Sequence, residues 1–268
     1  MGSASPDGKR ISFRGSFDRN MFKDHFTKSA PSYSKYRPDY PDTLFRYLAS
    51  LSSGHETALD CATGSGQAAA GAAPYYRRVA AVDGSRRQVQ NASASGGIAY
   101  MVSLVESLPL KDRSVDLVMA AQAAHWFDLS RFYPEVRRVV KPGGVVALWC
   151  YSLLRIDPEI DRIVDYLFRT VVGSYWPPER KLVDEGFASL YFPFPEIVVP
   201  DFPMESSWDL AHLLGYLGTW SAVSRYQEAR GEEPVELVRS DLAAAWGNKG
   251  SMKRVKWPIH MRVGSVGR

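Results

Sequence analysis

The chain has 268 residues, of which 45% are apolar and 23% charged, with two cysteines and a net charge of +4. That composition supports a real core and excludes disorder, a collagen-like repeat and a disulfide-stapled scaffold. No apolar run reaches the roughly 18 residues of a membrane-spanning helix, Met1–Gly15 lacks the apolar centre of a secretory signal, and Cys61 and Cys150 offer no metal-ligand spacing. A reducing cytoplasm is the expected location, and no metal is expected. The clearest basic run, Lys249, Lys253, Arg254 and Lys256, reads as a solvated face, so neither nucleic acid nor membrane is an expected partner. The expected partner is a small molecule.

In chain order, Asp42–Leu51 predicts a helix, and Thr57–Ala62 a buried strand ending at the glycine-rich turn Gly64-Ser65-Gly66. Gln67–Tyr76 follows as an alanine-rich helix, Arg78–Asp83 as a second strand, and Ser85 caps a helix running through Ala92. Ile98–Leu104 and Val115–Ala121 are further strands, Arg131–Val140 a helix, Lys141–Gly144 a turn and Val145–Cys150 a fifth strand. Strands apolar on both faces and separated by helices predict a doubly wound α/β core with a parallel sheet. Apolar residues at helical spacing then mark Pro158–Val172, Leu210–Leu217 and Val235–Ala245 as cap helices. Tyr191–Phe202, rich in proline and aromatics, is a candidate sixth strand, and Val255–Val263 a last strand at the sheet's edge. The expected organisation is an N-terminal tail, partly flexible, over 1–32 and one domain over 33–268. Within it the core spans about 41–151, the cap helices about 155–190 and 206–247, and the last strand about 255–264.

The strongest chemical signal is Asp60-Cys61-Ala62-Thr63-Gly64-Ser65-Gly66. Glycines at such a turn allow positive φ and close approach of the backbone to a ligand. Asp83 ends the next strand, 19 residues after Gly64, where a carboxylate can accept both hydroxyls of a ribose. Gly64-x-Gly66-x-x-Ala69 satisfies the dinucleotide fingerprint of a nicotinamide-dependent oxidoreductase. The same residues also satisfy the S-adenosylmethionine loop D-x-G-x-G-x-G, with Ala62 in place of its first glycine. Asp60 before the turn, Glu106–Leu110 and Ser114–Val118 after the third strand, and Arg138–Gly144 before the fifth favour the second reading.

In that order these segments resemble the class I S-adenosylmethionine-dependent methyltransferases. Tyr36-Arg-Pro-Asp-Tyr-Pro41, Ala121–Asp128, Thr219–Val223 and Lys256–Val263 are similar to the small-molecule methyltransferases related to trans-aconitate methyltransferase. The resemblance implies a Rossmann-like, seven-stranded, mostly parallel sheet with its last strand antiparallel, and S-adenosyl-L-methionine as cofactor. It implies that Asp60, Ala62, Gly64 and Gly66, with Thr63 in the same loop, surround the methionine part. Asp83 meets the ribose with Gly84 and Ser85 beside it, Val105 and Glu106 lie by the adenine, and Gln122 lies beside the sulfonium. Two positions depart from the pattern: Ala62 adds a methyl, and Leu104 replaces an acid that would meet the adenine amino group.

Methyl transfer from a sulfonium is an in-line displacement in which the protein supplies alignment and a dry site. A base is needed only where the acceptor arrives protonated. His125, just after the fourth strand, is the candidate base; the competing reading is a histidine that holds its loop. Trp126 is a candidate wall of the substrate pocket. Tyr33, Tyr36 and Arg37 are candidates to close over the site, with Arg37 suited to an anionic substrate. Tyr216 and Trp220 read as packing in the cap. A third reading of the whole chain is a binding protein that kept the cofactor loop without turnover.

Overall fold

In the computed structural model, which describes residues 36–92 and 96–267, eight strands form: β1 (Thr57–Cys61), β2 (Arg78–Asp83), β3 (Ile98–Val102), β4 (Val115–Ala121), β5 (Val140–Tyr151), β6 (Met204–Trp208), β7 (Lys253–Trp257) and β8 (Ile259–Ser265). Six of them make the central sheet in the order β3-β2-β1-β4-β5-β8. β1 to β5 pair in parallel, and β8 runs antiparallel beside β5. The expected tail over 1–32 and Tyr33 lie outside the described residues.

Alternation along the strands sends side chains to two cores. Leu59, Val82, Val118, Ala120 and Leu148 pack with Phe132 and Val136 of α4 (Leu129–Val139). Ala58, Val79, Leu117, Met119 and Trp149 face the other way. They pack on Leu44, Phe45 and Leu48 of α1 (Asp42–Leu51) and on the alanines of α2 (Gln67–Ala72). Gly71 makes that second contact possible, because a Cβ there would come within 2.1 Å of the Phe45 ring. α3 (Arg86–Asn91) begins at Ser85, whose hydroxyl accepts the Gln88 N–H.

The cap is a third core built from α5 (Pro158–Tyr166), α7 (Leu210–Gly218), α8 (Ser221–Arg230) and α9 (Glu236–Trp246), whereas α6 (Arg180–Asp184) buries Val183 in the first core. α5 continues as a π-helical turn over Leu167–Val171. Leu154, Ile160, Leu213, Leu217, Leu242 and Trp257 are buried within this core.

Three expectations are corrected. The expected last strand breaks at Pro258: β7 leaves for a separate two-stranded sheet with β6, and only β8 stays beside β5. A proline has no N–H for a ladder, so the chain changes partners there. The central sheet has six strands rather than seven, because the proline-rich segment 191–202 makes a single bridge, Glu196 with Gly264, at the outer edge of β8. Pro193, Pro195, Pro200 and Pro203 prevent a longer ladder. Lys141–Gly144 is a bulge inside β5 rather than a turn before it, since Val115 pairs with Val140 and Leu117 with Val145. Asp116, 2% exposed, clamps that bulge. It accepts the N–H groups of Glu56 and Thr57 and pairs with the Lys141 ammonium at 2.8 Å.

Candidate active site

Strand order reverses between β1 and β4, which leaves a crevice at the carboxyl ends of the parallel strands. A cavity of about 380 Å3 occupies it, lined by residues that follow β1, β2, β3 and β4. Ala62 (φ +55°) and Gly64 (φ +54°) turn the chain after β1 through the left-handed region, and Gln122 (φ +54°) does the same after β4. Gln122 is held there by its N–H to the Trp149 carbonyl at 2.8 Å and its side-chain amide to the Tyr151 carbonyl at 3.3 Å. Two non-glycine residues in this region at one cavity are strain of the kind that functional sites retain.

Asp60 is 1% exposed, and its Oδ2 accepts the Thr63 hydroxyl at 2.6 Å and the Ala69 N–H at 3.0 Å. Burial pushes its carboxyl up to about 7 against the pull of those two hydrogen bonds. Asp83 accepts the N–H of Gly64 at 2.9 Å on one oxygen and that of Ser85 at 2.8 Å on the other. Glu106 accepts the Asp128 N–H at 3.0 Å, which joins the loop after β3 to the start of α4.

A second, smaller cavity of about 80 Å3 lies toward the cap and shares Gln122, Trp126 and Tyr151 with the first. The Arg37 guanidinium donates to the Tyr151 hydroxyl at 2.9 Å and lies 5.0 Å from the Tyr216 ring centre. Arg180 lies over Trp176 at 4.8 Å and Phe168 at 5.1 Å, with its Nε donating to Asp184 at 2.8 Å. His125 lines the same space. Burial, and secondarily Arg180, lowers its pKa to about 3, and its buried Nδ1 has no hydrogen-bond partner among the described residues.

The structure brings Asp60, Ala62, Thr63, Gly64, Asp83, Gly84, Ser85, Val105, Glu106 and Gln122 to the larger cavity, and Arg37 and His125 to the smaller; Trp126 borders both. Two expected residues lie elsewhere. Gly66 (φ +88°) opens α2, and a Cβ there would come within 2.3 Å of the Tyr100 hydroxyl. Tyr36 packs edge-on against His212, with ring centres 5.2 Å apart, in the space that the missing Cβ of Gly215 leaves. Tyr216 and Trp220 are buried in the cap core and also line the smaller cavity.

Tyr151, Ser152, Glu179 and Arg180 line these cavities without any sequence signal, whereas Tyr40 lay within a motif already singled out. Among the described residues the larger cavity has four acidic side chains, Asp60, Asp83, Glu106 and Glu179, and no basic one. Such a lining suits a ligand with cationic groups and opposes the pyrophosphate of a dinucleotide.

The methyltransferase domain family matches residues 59–148. A solved structure described as a type II methyltransferase from Anaeromyxobacter dehalogenans is 44% identical. It covers 87% of this chain and 99% of its own, with a TM-score of 0.82. A protein of Dictyostelium discoideum named as a methyltransferase is 29% identical over 90% of this chain and 94% of its own length. A Saccharomyces cerevisiae protein named as an S-adenosylmethionine-dependent methyltransferase is 29% identical over 47% of this chain and 45% of its own.

Proposed function

The chain belongs to the class I S-adenosylmethionine-dependent methyltransferases, and from that premise we propose that it methylates a small anionic acceptor at an oxygen, either carboxylate or hydroxyl. The nicotinamide reading of Gly64-x-Gly66-x-x-Ala69 falls with that membership. The observation that carries the acceptor reading is the pair of guanidiniums, Arg37 and Arg180, on the walls of the smaller cavity.

The larger cavity fits the cofactor in its acidic lining and in the tight turns at Ala62 and Gly64. Asp60, Asp83, Glu106 and Gln122 are the side chains that would hold it. When bound, S-adenosylmethionine supplies a methyl group on a positively charged sulfur that leaves as a neutral thioether. Gln122, Trp126 and Tyr151 border both cavities and so define where acceptor and donor meet. Arg37 and Arg180 orient an anion toward that border, and the aromatic walls Phe168, Trp176 and Trp220 exclude water. His125, its pKa lowered to about 3 by burial, is neutral at pH 7 and a weak base. That favours a carboxylate, which arrives ionised, over a hydroxyl, which does not.

The test is turnover with a panel of small carboxylates, phenols, amines and thiols, read as S-adenosylhomocysteine release. Carboxylates are expected to be the best acceptors, with Arg180→Gln lowering kcat/KM about tenfold or more. Turnover confined to amines or thiols overturns the oxygen reading. S-adenosylmethionine binding without turnover on any acceptor favours a binding protein.

A further inference from the structure

The four carboxylates of the larger cavity are not equivalent. Those of Asp60, Asp83 and Glu106 each accept a hydrogen bond from the protein, from a hydroxyl or from backbone N–H groups. Each of them already holds a loop in place. The carboxylate of Glu179, half-buried in the cap segment, has no hydrogen bond or ion pair among the described residues, although it lines the cavity. A carboxylate that no protein group engages beside a ligand space is open to a cationic ligand.

The position of Glu179 along the chain says which part of the ligand it meets. Trp176, Pro177 and Arg180 line the smaller cavity, and Glu179 among them lines the larger. Glu179 therefore belongs to a segment that lines both cavities, and so to one side of the border that the methyl group has to cross. Arg37 and Arg180 lie on the acceptor side of that border, and two guanidiniums there oppose a positively charged donor as they attract an anionic acceptor. A carboxylate on the donor side offsets that repulsion.

We propose that Glu179 is the counter-charge for the positive methyl-donor end of the bound cofactor, and that it makes the site prefer S-adenosylmethionine over the demethylated product. The proposal rests on the methyltransferase reading. The two molecules differ at the sulfur by one methyl and one positive charge. A carboxylate at the sulfur separates them, whereas one at the shared amino-acid or ribose end does not. The preference also weakens retention of the product once the charge has gone.

The experiment is calorimetric titration of the intact chain with S-adenosylmethionine, with sinefungin, which carries an ammonium group in place of the methylated sulfonium, and with S-adenosylhomocysteine. Each is measured on the wild type, Glu179→Gln and Glu179→Asp. The glutamine variant is expected to bind the two charged ligands about tenfold more weakly, with S-adenosylhomocysteine changed by less than about twofold. The aspartate variant, which keeps the charge, is expected to retain part of the preference. Equal weakening of all three ligands places Glu179 at a part they share and overturns the proposal, as does no change in any. A wild type that binds none of the three overturns the methyltransferase reading itself, so the two failures are distinguishable.

Discussion

Asp83 and Gly64 are joined by a 2.9 Å hydrogen bond from the glycine N–H to one carboxylate oxygen, which ties the end of β2 to the loop after β1. The second oxygen takes the Ser85 N–H at 2.8 Å. One side chain thus sets the spacing of two neighbouring loops on the cavity wall. Asp83→Ala leaves both N–H groups without that acceptor and is expected to cost about 2 kcal/mol of stability. S-adenosylhomocysteine affinity should fall by about tenfold or more. Titration calorimetry and urea unfolding measure the two effects separately; an unchanged affinity would show that this latch does not shape the site.

Ala62 sits at φ +55° in the same loop. The left-handed region costs an L-residue about 1–2 kcal/mol that glycine does not incur, and glycine returns part of this through its larger unfolded-state entropy. Ala62→Gly is expected to stabilise the protein by about 1 kcal/mol. The readout is a higher urea midpoint at constant slope. A lower midpoint would mean that the methyl group is needed for packing.

The raised pKa of Asp60 has a definite pH signature. Its folded value of about 7 lies above the 3.8 of the unfolded chain, because burial disfavours the charged form. Its contribution to stability is therefore fully present below about pH 4 and is lost as pH rises through about 7. The loss is about 4 kcal/mol at most. Asp60→Asn stays neutral throughout, so its stability relative to the wild type is expected to rise between pH 4 and 8. Unfolding curves at a series of pH values check this, and a flat difference would contradict it.

His125 is held neutral by burial and by Arg180, with a pKa near 3. Its ring proton resonances are expected to show no titration between pH 5 and 8, and kcat for a carboxylate acceptor is expected to show no inflection from this residue. An NMR titration with His125→Asn as the assignment control is the measurement. An inflection near 6.5 would restore His125 as the candidate base.

The parallel core was legible because each strand is a short run apolar on both faces, and each helix repeats at its own period. β2, β4 and α1 carry the expected bounds. The loop chemistry was legible for a related reason: Asp60, Ala62, Gly64 and Asp83 lie at strand ends, where local sequence alone places them at the crevice. β6 was not, since Met204–Trp208 finds its partner about fifty residues later; β7 was legible only as the start of the expected strand Val255–Val263, without its pairing to β6.

The sequence by itself determined the doubly wound core, its order and the tight glycine-rich turn at the crevice, because those follow from apolar periodicity and from turns within a few residues. Only the tertiary structure decided the rest. It set Gly66 beside Tyr100 and Tyr36 beside His212, outside the lining of the two cavities, and it split the last strand at Pro258 between two sheets. It also assembled the smaller cavity from Arg37, His125, Tyr151, Arg180 and Tyr216, residues scattered over most of the chain. Such a cavity is set by how the cap docks on the sheet, and contacts between residues far apart in sequence leave no periodic trace along it.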